Sequence, residues 1–345
     1  MRNWIARHET AAFLGLTFGL SWPLWIASGA LGRDDIRQPD LRWLLAQIGV
    51  FAPAFAGMFV AATLEAGTGR RAMRTLAFIY LPATLLGWGI ATRGYESFAA
   101  IGAGWTLALT AFGVWVLMWF GRTANRQAAW PGAPANAGTV ARWTVGAAVI
   151  PAAAFMLAWA VLPPSVPGAT ATTAPAIVRE FTLAGVLGAL TVNLSYGGSL
   201  GEEPGWRGVW LPRLLRGHSP LRASLVIGFW WAPWHAPIDL AQGFGVTGVG
   251  ALVVRLIWVL PVAVVFTWVT VRAGGSLLPP FAFHTSLNVL PDSLARDAAR
   301  YERAWELFVV LVVATAFAVA LRDRRFAGSA AGKASSSSAS STDLA

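Results

Sequence analysis

Two adjacent carboxylates stand in the stretch Gly201 Glu202 Glu203 Pro204 Gly205 Trp206 Arg207 Gly208, directly after a long apolar run. An ionisable group at a helix centre in a bilayer costs about 2.5–3.5 kcal/mol even on lenient insertion scales, so such a pair requires compensating partners. Glu203 and Arg207 are four residues apart with the acid first, the better orientation for an ion pair on one helix face. The next residue along a helix points about 100° away, so Glu202 is left without that cation and is free for general-base work. Pro204 directly follows the pair and disfavours helical geometry at Glu203, which places the glutamates at a helix break.

Three further polar residues lie in apolar stretches. His235 ends Phe229 Trp230 Trp231 Ala232 Pro233 Trp234 His235, where a lone histidine among tryptophans is either a structural donor or a proton-handling group. His284 and Asn288 in Phe283 His284 Thr285 Ser286 Leu287 Asn288 are four residues apart and share one helix face, as a site or as interhelical glue. Gly197 Gly198 Ser199 Leu200 Gly201 fits G-x-S-x-G, and Ser199 with a distant histidine is the basis of a serine-protease alternative of the rhomboid kind. That motif needs a strand-to-helix turn, whereas glycines closing a span also read as a helix break or a close packing point. Asp239 is four residues after His235 and can orient it, and Arg255 can snorkel to an interface. As relay or pairing charges with Glu202, these two support a transporter or scaffold alternative, but the polar residues all fall after residue 190 rather than in two comparable halves.

These groups need elements that hold them in a bilayer. The 345 residues are 56% hydrophobic and only 12% charged, and the mean hydropathy is +0.57, more apolar surface than a soluble core buries. The composition therefore predicts an all-α polytopic transmembrane helix bundle. Its +10 formal charge is mostly arginine spread between apolar runs, which suits topology signals and anionic membrane lipids and predicts no nucleic-acid partner. With no cysteine, the chemistry falls to Glu, Asp, His, Ser or Asn.

Candidate spans run over 11–31, 42–65, 76–92, 97–120, 140–162, 179–200, 223–241, 248–271, 276–292 and 305–321, near the twenty or so residues a bilayer requires. Spans 76–92 and 276–292 are short, and Pro279 with Pro280 marks the latter as broken or tilted, so the count is about 8–10. Residues 11–31 mimic a signal peptide but lead into further spans, which favours an uncleaved first helix. Alternating sides gathers Arg70, Arg71, Arg74, Arg122, Arg126, Arg207, Arg213, Arg216, Arg222, Arg322, Arg324 and Arg325 on one face. The positive-inside rule makes that face cytoplasmic, with both termini and the glutamates near it. Residues 163–175 read as an external loop and the Ser- and Ala-rich residues 327–345 as a disordered tail.

Taken together the motifs resemble the CAAX-processing and bacteriocin-processing (CPBP) intramembrane endopeptidases, also called the type II CAAX prenyl endopeptidase or Abi family. Its pattern is E-E-x-x-x-R, F-x-x-x-H and H-x-x-x-N on separate transmembrane helices. Glu202, Glu203 and Arg207 match the first element, and His284 with Asn288, preceded by Gly275 Ser276, matches the third. His235 matches the second with Trp231 in place of phenylalanine. The resemblance covers about residues 180–292 and divides the chain into N-terminal transmembrane helices (1–175), a protease core (176–325) and a disordered tail (326–345). It implies a bacterial cytoplasmic-membrane peptidase acting on a peptide or membrane-tethered protein, CAAX-type among the candidates. Glu202 would take a proton from water, His235, His284 and Asn288 would position water and donate to the oxyanion, and Glu203 with Arg207 would form a structural pair. Zinc held by Glu202, His235 and His284 is the alternative use of the same groups, since two histidines, a carboxylate and water form a known catalytic set. The H-E-x-x-H signature is absent and Asn is a poor zinc ligand.

Overall fold

The computed structural model describes residues 1–31, 41–64, 74, 136–161, 198–242, 249–294 and 298–328. Its helices in chain order are α1 Arg2–Arg7, α2 Glu9–Ala30, α3 Leu41–Val50, α4 Ala52–Leu64, α5 Ala137–Val161 and α6 Gly198–Glu203. A π-helical turn over Pro204–Trp210 follows, then α7 Leu211–Leu214, α8 Pro220–Trp234, α9 Ala236–Gln242 and α10 Val249–Arg272. Next come α11 Leu278–Leu294, α12 Ala298–Arg322 and α13 Arg324–Ala327. Among the described residues there is no strand, and Glu9–Ala30, Leu252–Arg272 and Trp305–Arg322 are long and apolar enough to cross a membrane. The chain is the all-α membrane bundle that the composition predicts. The spans expected over 76–92 and 97–120, most of 179–200, the loop 163–175 and the tail lie outside the described residues.

Prolines decide where the apolar runs divide. The run 42–65 is two helices meeting at Phe51, because Pro53 cannot donate to the carbonyl of Gly49 and its ring crowds it. The run 223–241 parts at His235 for the same reason: Pro237 leaves the carbonyl of Pro233 without its helical donor. Trp22 Nε1 donates to the carbonyl of Trp234 at that joint, 3.1 Å away. Pro279 and Pro280 do not break their helix, as was expected of them. They occupy the first turn of α11, where a missing N–H is not needed, after a turn in which Gly274 and Gly275 take positive φ.

Pro204 also corrects an expectation. Glu203 keeps helical angles, φ −59° and ψ −38°, and the chain continues without a break through the π turn into α7. Widening to π geometry moves the proline ring off the carbonyl of the preceding turn, so the glutamates sit inside a helix rather than at its end. Arg207 accordingly is wholly buried and is no loop charge of the topology tally. Arg213 Nε, nine-tenths buried, lies 2.6 Å from Glu9 Oε2 and ties α7 to the start of α2.

Tryptophans fill the core, with Trp25, Trp206, Trp210 and Trp234 fully buried. In an apolar interior an indole N–H needs an acceptor, and most of these find one. Trp25 donates to the carbonyl of Ala46 at 2.9 Å, Trp234 to Ser21 Oγ at 2.8 Å and Trp210 to Thr10 Oγ1 at 3.1 Å. The helices that carry the polar motifs are packed by their neighbours, α6 and the π turn by α4, α8 by α10, and α11 by α5. Just past the last candidate span, burial raises the carboxyl of Asp323. Hydrogen bonds from Trp268 and Arg272 outweigh that burial and hold it below its ordinary value.

Candidate active site

Three elements converge on the glutamates: the α6–π helix with Glu202, Glu203 and Arg207, α8 with Trp231 and the joint residue His235, and α11 with His284 and Asn288. Their approach depends on small residues. A methyl on Gly201 would stand 2.7 Å from the carbonyl of Val50, and one on Gly205 would stand 2.1 Å from the carbonyl of Pro53. Both distances are inside van der Waals contact, so only glycine lets the α6–π helix press against the α3–α4 joint.

Glu203 and Arg207 form the pair that their spacing predicts, Nη1 to Oε1 at 3.2 Å with neither side chain exposed. The guanidinium lies between two rings, its Cζ 4.4 Å from the centroid of Trp231 and 4.3 Å from that of Phe266. Among the described residues, Arg207 Nε and Nη2 and Glu203 Oε2 have no hydrogen-bond partner. Ring faces are the remaining stabilisation for the cation, a role arginine's flat group fits and lysine's does not.

His284 bridges the two carboxylates. Its Nδ1 is 2.8 Å from Glu203 Oε1 and its Nε2 is 3.8 Å from Glu202 Oε1. With Nδ1 donating to the Glu203 carboxylate, the neutral tautomer of His284 presents a lone pair at Nε2. Glu202 has its other oxygen, Oε2, bonded by the indole N–H of Trp231 at 2.7 Å. In that tautomer the Nε2 lone pair faces Glu202 Oε1 across a gap too long for a direct hydrogen bond. Asn288 and Glu202 both border Gly198, where a methyl would stand 3.1 Å from Glu202 Oε1 and 3.7 Å from Asn288 Nδ2.

His235 joins the group through Trp231. Its Nδ1 donates to the Trp231 carbonyl at 2.9 Å, which leaves a lone pair at Nε2, and its ring packs on Trp25, Trp231 and Trp234. Asp239 does not orient it, contrary to expectation: the Asp239 carboxylate is held by Arg255, with Arg255 Nε donating to Oδ2 at 2.8 Å and Nη2 to Oδ1. Arg255 likewise does not snorkel free but lies over the Trp258 ring, since a bidentate acid is within its reach.

Two alternatives concern Ser199 and a metal ion. Ser199 is helical in α6, and its buried Oγ accepts from Thr285 Oγ1 at 3.3 Å, an interhelical contact. Glu202, His235 and His284 do not gather as metal ligands: among the described residues no three His, Asp or Glu side chains share one ligation point. Glu203 and Trp231 bond His284 Nδ1, His235 Nδ1 and Glu202 Oε2, which leaves Nε2 of each histidine and Oε1 of the glutamate open. The motifs named Trp231 only as the aromatic four residues before His235 and did not include Phe266, yet Trp231 touches Glu202, Arg207, His235 and His284, and Phe266 touches Arg207 and His284.

Residues 186–290 match the family described as type II CAAX prenyl endopeptidase Rce1-like, a segment that contains all six of the motif residues. Over 102 residues the chain is 26% identical to CAAX prenyl protease 2 of Methanococcus maripaludis, covering 27% of this chain and 36% of that protein. The chain therefore spans about a third of the length of the curated relative it matches.

Proposed function

We propose, from the premise that residues 186–290 form a type II CAAX prenyl endopeptidase segment, that this protein hydrolyses a peptide bond of a membrane-associated substrate. CAAX-type peptides are the first class to test, after the name of the relative. The observation that carries the reading is the facing pair Glu202 Oε1 and His284 Nε2, 3.8 Å apart inside the matched segment. Two acceptors so placed are both satisfied by one water that gives a hydrogen to each, and this orients the water's own lone pairs outward to a scissile carbonyl.

Glu202 then takes a proton as the water oxygen bonds to the carbonyl carbon, a positioned base typically contributing about 10²–10⁴-fold. Asn288 Nδ2, which borders Gly198 as Glu202 Oε1 does, donates to the oxygen that becomes negative, and one such donor is commonly worth about 2.7–4 kcal/mol. As the carbon–nitrogen bond breaks, Glu202 returns the proton to the departing amine. His235, with its lone pair at Nε2, is the second group able to hold water or a proton at the site. Glu203 and Arg207 fix His284 from behind and take no part in proton transfer. Zinc on Glu202, His235 and His284 remains the alternative use of these groups, although among the described residues no three such side chains are grouped to share an ion.

The test is cleavage of a farnesylated CAAX reporter peptide by purified protein in detergent or vesicles. Glu202→Gln should fold normally and lose at least about 100-fold in turnover, because the amide keeps the shape but cannot take the proton. Ser199→Ala should retain cleavage. The reverse pattern would transfer the reaction to the serine, and no hydrolysis by the wild type under any condition would leave the transporter or scaffold reading.

A further inference from the structure

Trp231 makes a distinct bond or packing contact with Glu202, Arg207, His235 and His284. Its indole N–H donates to Glu202 Oε2 at 2.7 Å, with Trp231 3% and Glu202 4% exposed, so no bulk water competes for that oxygen. Its backbone carbonyl accepts from His235 Nδ1 at 2.9 Å and sets which nitrogen of that ring stays unprotonated. Its ring face lies 4.4 Å from the Arg207 guanidinium, and its edge contacts the rings of Phe266 and His284 at 5.5 and 6.0 Å between centroids. A carboxylate has two equivalent oxygens, and nothing in Glu202 itself chooses between them. The indole makes the choice, since the oxygen it holds is occupied and the other is turned to His284 Nε2.

We propose that Trp231 is a positioning residue for the reaction, selecting Glu202 Oε1 as the atom that takes the proton by holding Oε2 with its indole N–H. The inference rests on the hydrolase reading above. Phenylalanine at this place keeps the ring face over Arg207 and the carbonyl to His235 but has no N–H. Glu202 is then free to rotate about its terminal torsion and to present either oxygen, or neither, to the water. The loss falls on the chemical step and not on substrate binding, because Trp231 lies behind the carboxylate from the side of the water.

Trp231→Phe should lower kcat about 10- to 100-fold with KM within twofold, the span expected of one hydrogen bond to a charged acceptor. Wild type and Glu202→Gln are measured beside it on the same farnesylated reporter, with thermal midpoints for all three. Replacement of Trp231 by benzothienylalanine, which keeps the fused rings and exchanges only N–H for sulfur, must reproduce the kcat loss. It also settles the matter if the phenylalanine variant fails to fold. A benzothienyl variant within twofold of wild type in kcat, while Glu202→Gln is inactive, overturns the role of Trp231 and leaves the hydrolase reading standing. A loss confined to KM overturns it as well. Wild-type protein that leaves the reporter intact overturns the hydrolase reading, and this inference with it.

Discussion

Arg207 illustrates how a single residue is held against its own cost. It is fully buried, it reaches Glu203 through one nitrogen, and among the described residues its Nε and Nη2 have no acceptor. Its cation is offset by one carboxylate and by the faces of Trp231 and Phe266. Removing one partner of a buried pair strands the other, typically at about 3–5 kcal/mol, so Arg207→Ala should sharply reduce folded yield. Arg207→Lys should recover little, because a compact ammonium on a flexible stem does not lie flat between two rings. The measurement is monodisperse yield and thermal midpoint in detergent. Normal yield with a selective loss of turnover would move Arg207 from the scaffold into the chemistry.

Among the elements, the crossing of the α6–π helix over the α3–α4 joint decides whether the glutamates reach α11. Gly205 sits against Pro53 so closely that an added Cβ would meet the carbonyl carbon at 2.3 Å, and Gly57 stands across the same contact, 3.1 Å from Gly205 Cα by the equivalent construction. Backbone is on both sides, and neither can rotate away as a side chain would. Gly205→Ala is therefore expected to force the crossing apart and to cost at least about 1–3 kcal/mol, as overpacking does. Gly15→Ala and Gly19→Ala on α2 have nothing within 4 Å of the new methyl and serve as controls, expected to leave the thermal midpoint unchanged or slightly raised. Equal midpoints for Gly205→Ala and these controls would show that the helices can slide, and the crossing would no longer explain the site.

For the whole molecule, the described helices expose Ile26, Val145, Leu157, Ile257, Val310 and Phe317 on their outer faces while the polar groups turn inward, as a bundle solvated by lipid requires. The arginine alternation from which cytoplasmic termini are expected loses Arg207, which is buried, and Arg213, which pairs with Glu9. Arg70, Arg71, Arg74, Arg322 and Arg324 still fall on one side of the alternation. Reporter domains fused after Met1 and after Gly328 should both read as cytoplasmic. An external signal from one of them would change the parity of the spans and turn the site toward the opposite face.

Composition by itself determined the all-α membrane class, because no soluble core could hold so much apolar surface, and spacing determined the Glu203–Arg207 pair, because i and i+4 are neighbours on any helix. The polar residues of the site were legible as types: each is rare in an apolar stretch and so stood out. What they touch was not. His284 meets Glu203 across 81 residues of chain and Trp231 meets Glu202 across 29, distances over which periodicity carries no information about rotation or depth. Tertiary packing alone decided that His284 lies between the two carboxylates and that Trp231, at first only an aromatic substitution in a motif, donates to the glutamate. It also decided that Asp239 serves Arg255 rather than His235 and that Pro204 widens a helix without ending it. The reason is physical: an apolar residue needs only an apolar neighbour, which a hydrophobic pattern guarantees, whereas a buried donor needs one particular acceptor within about 3 Å, which only the assembled helices supply.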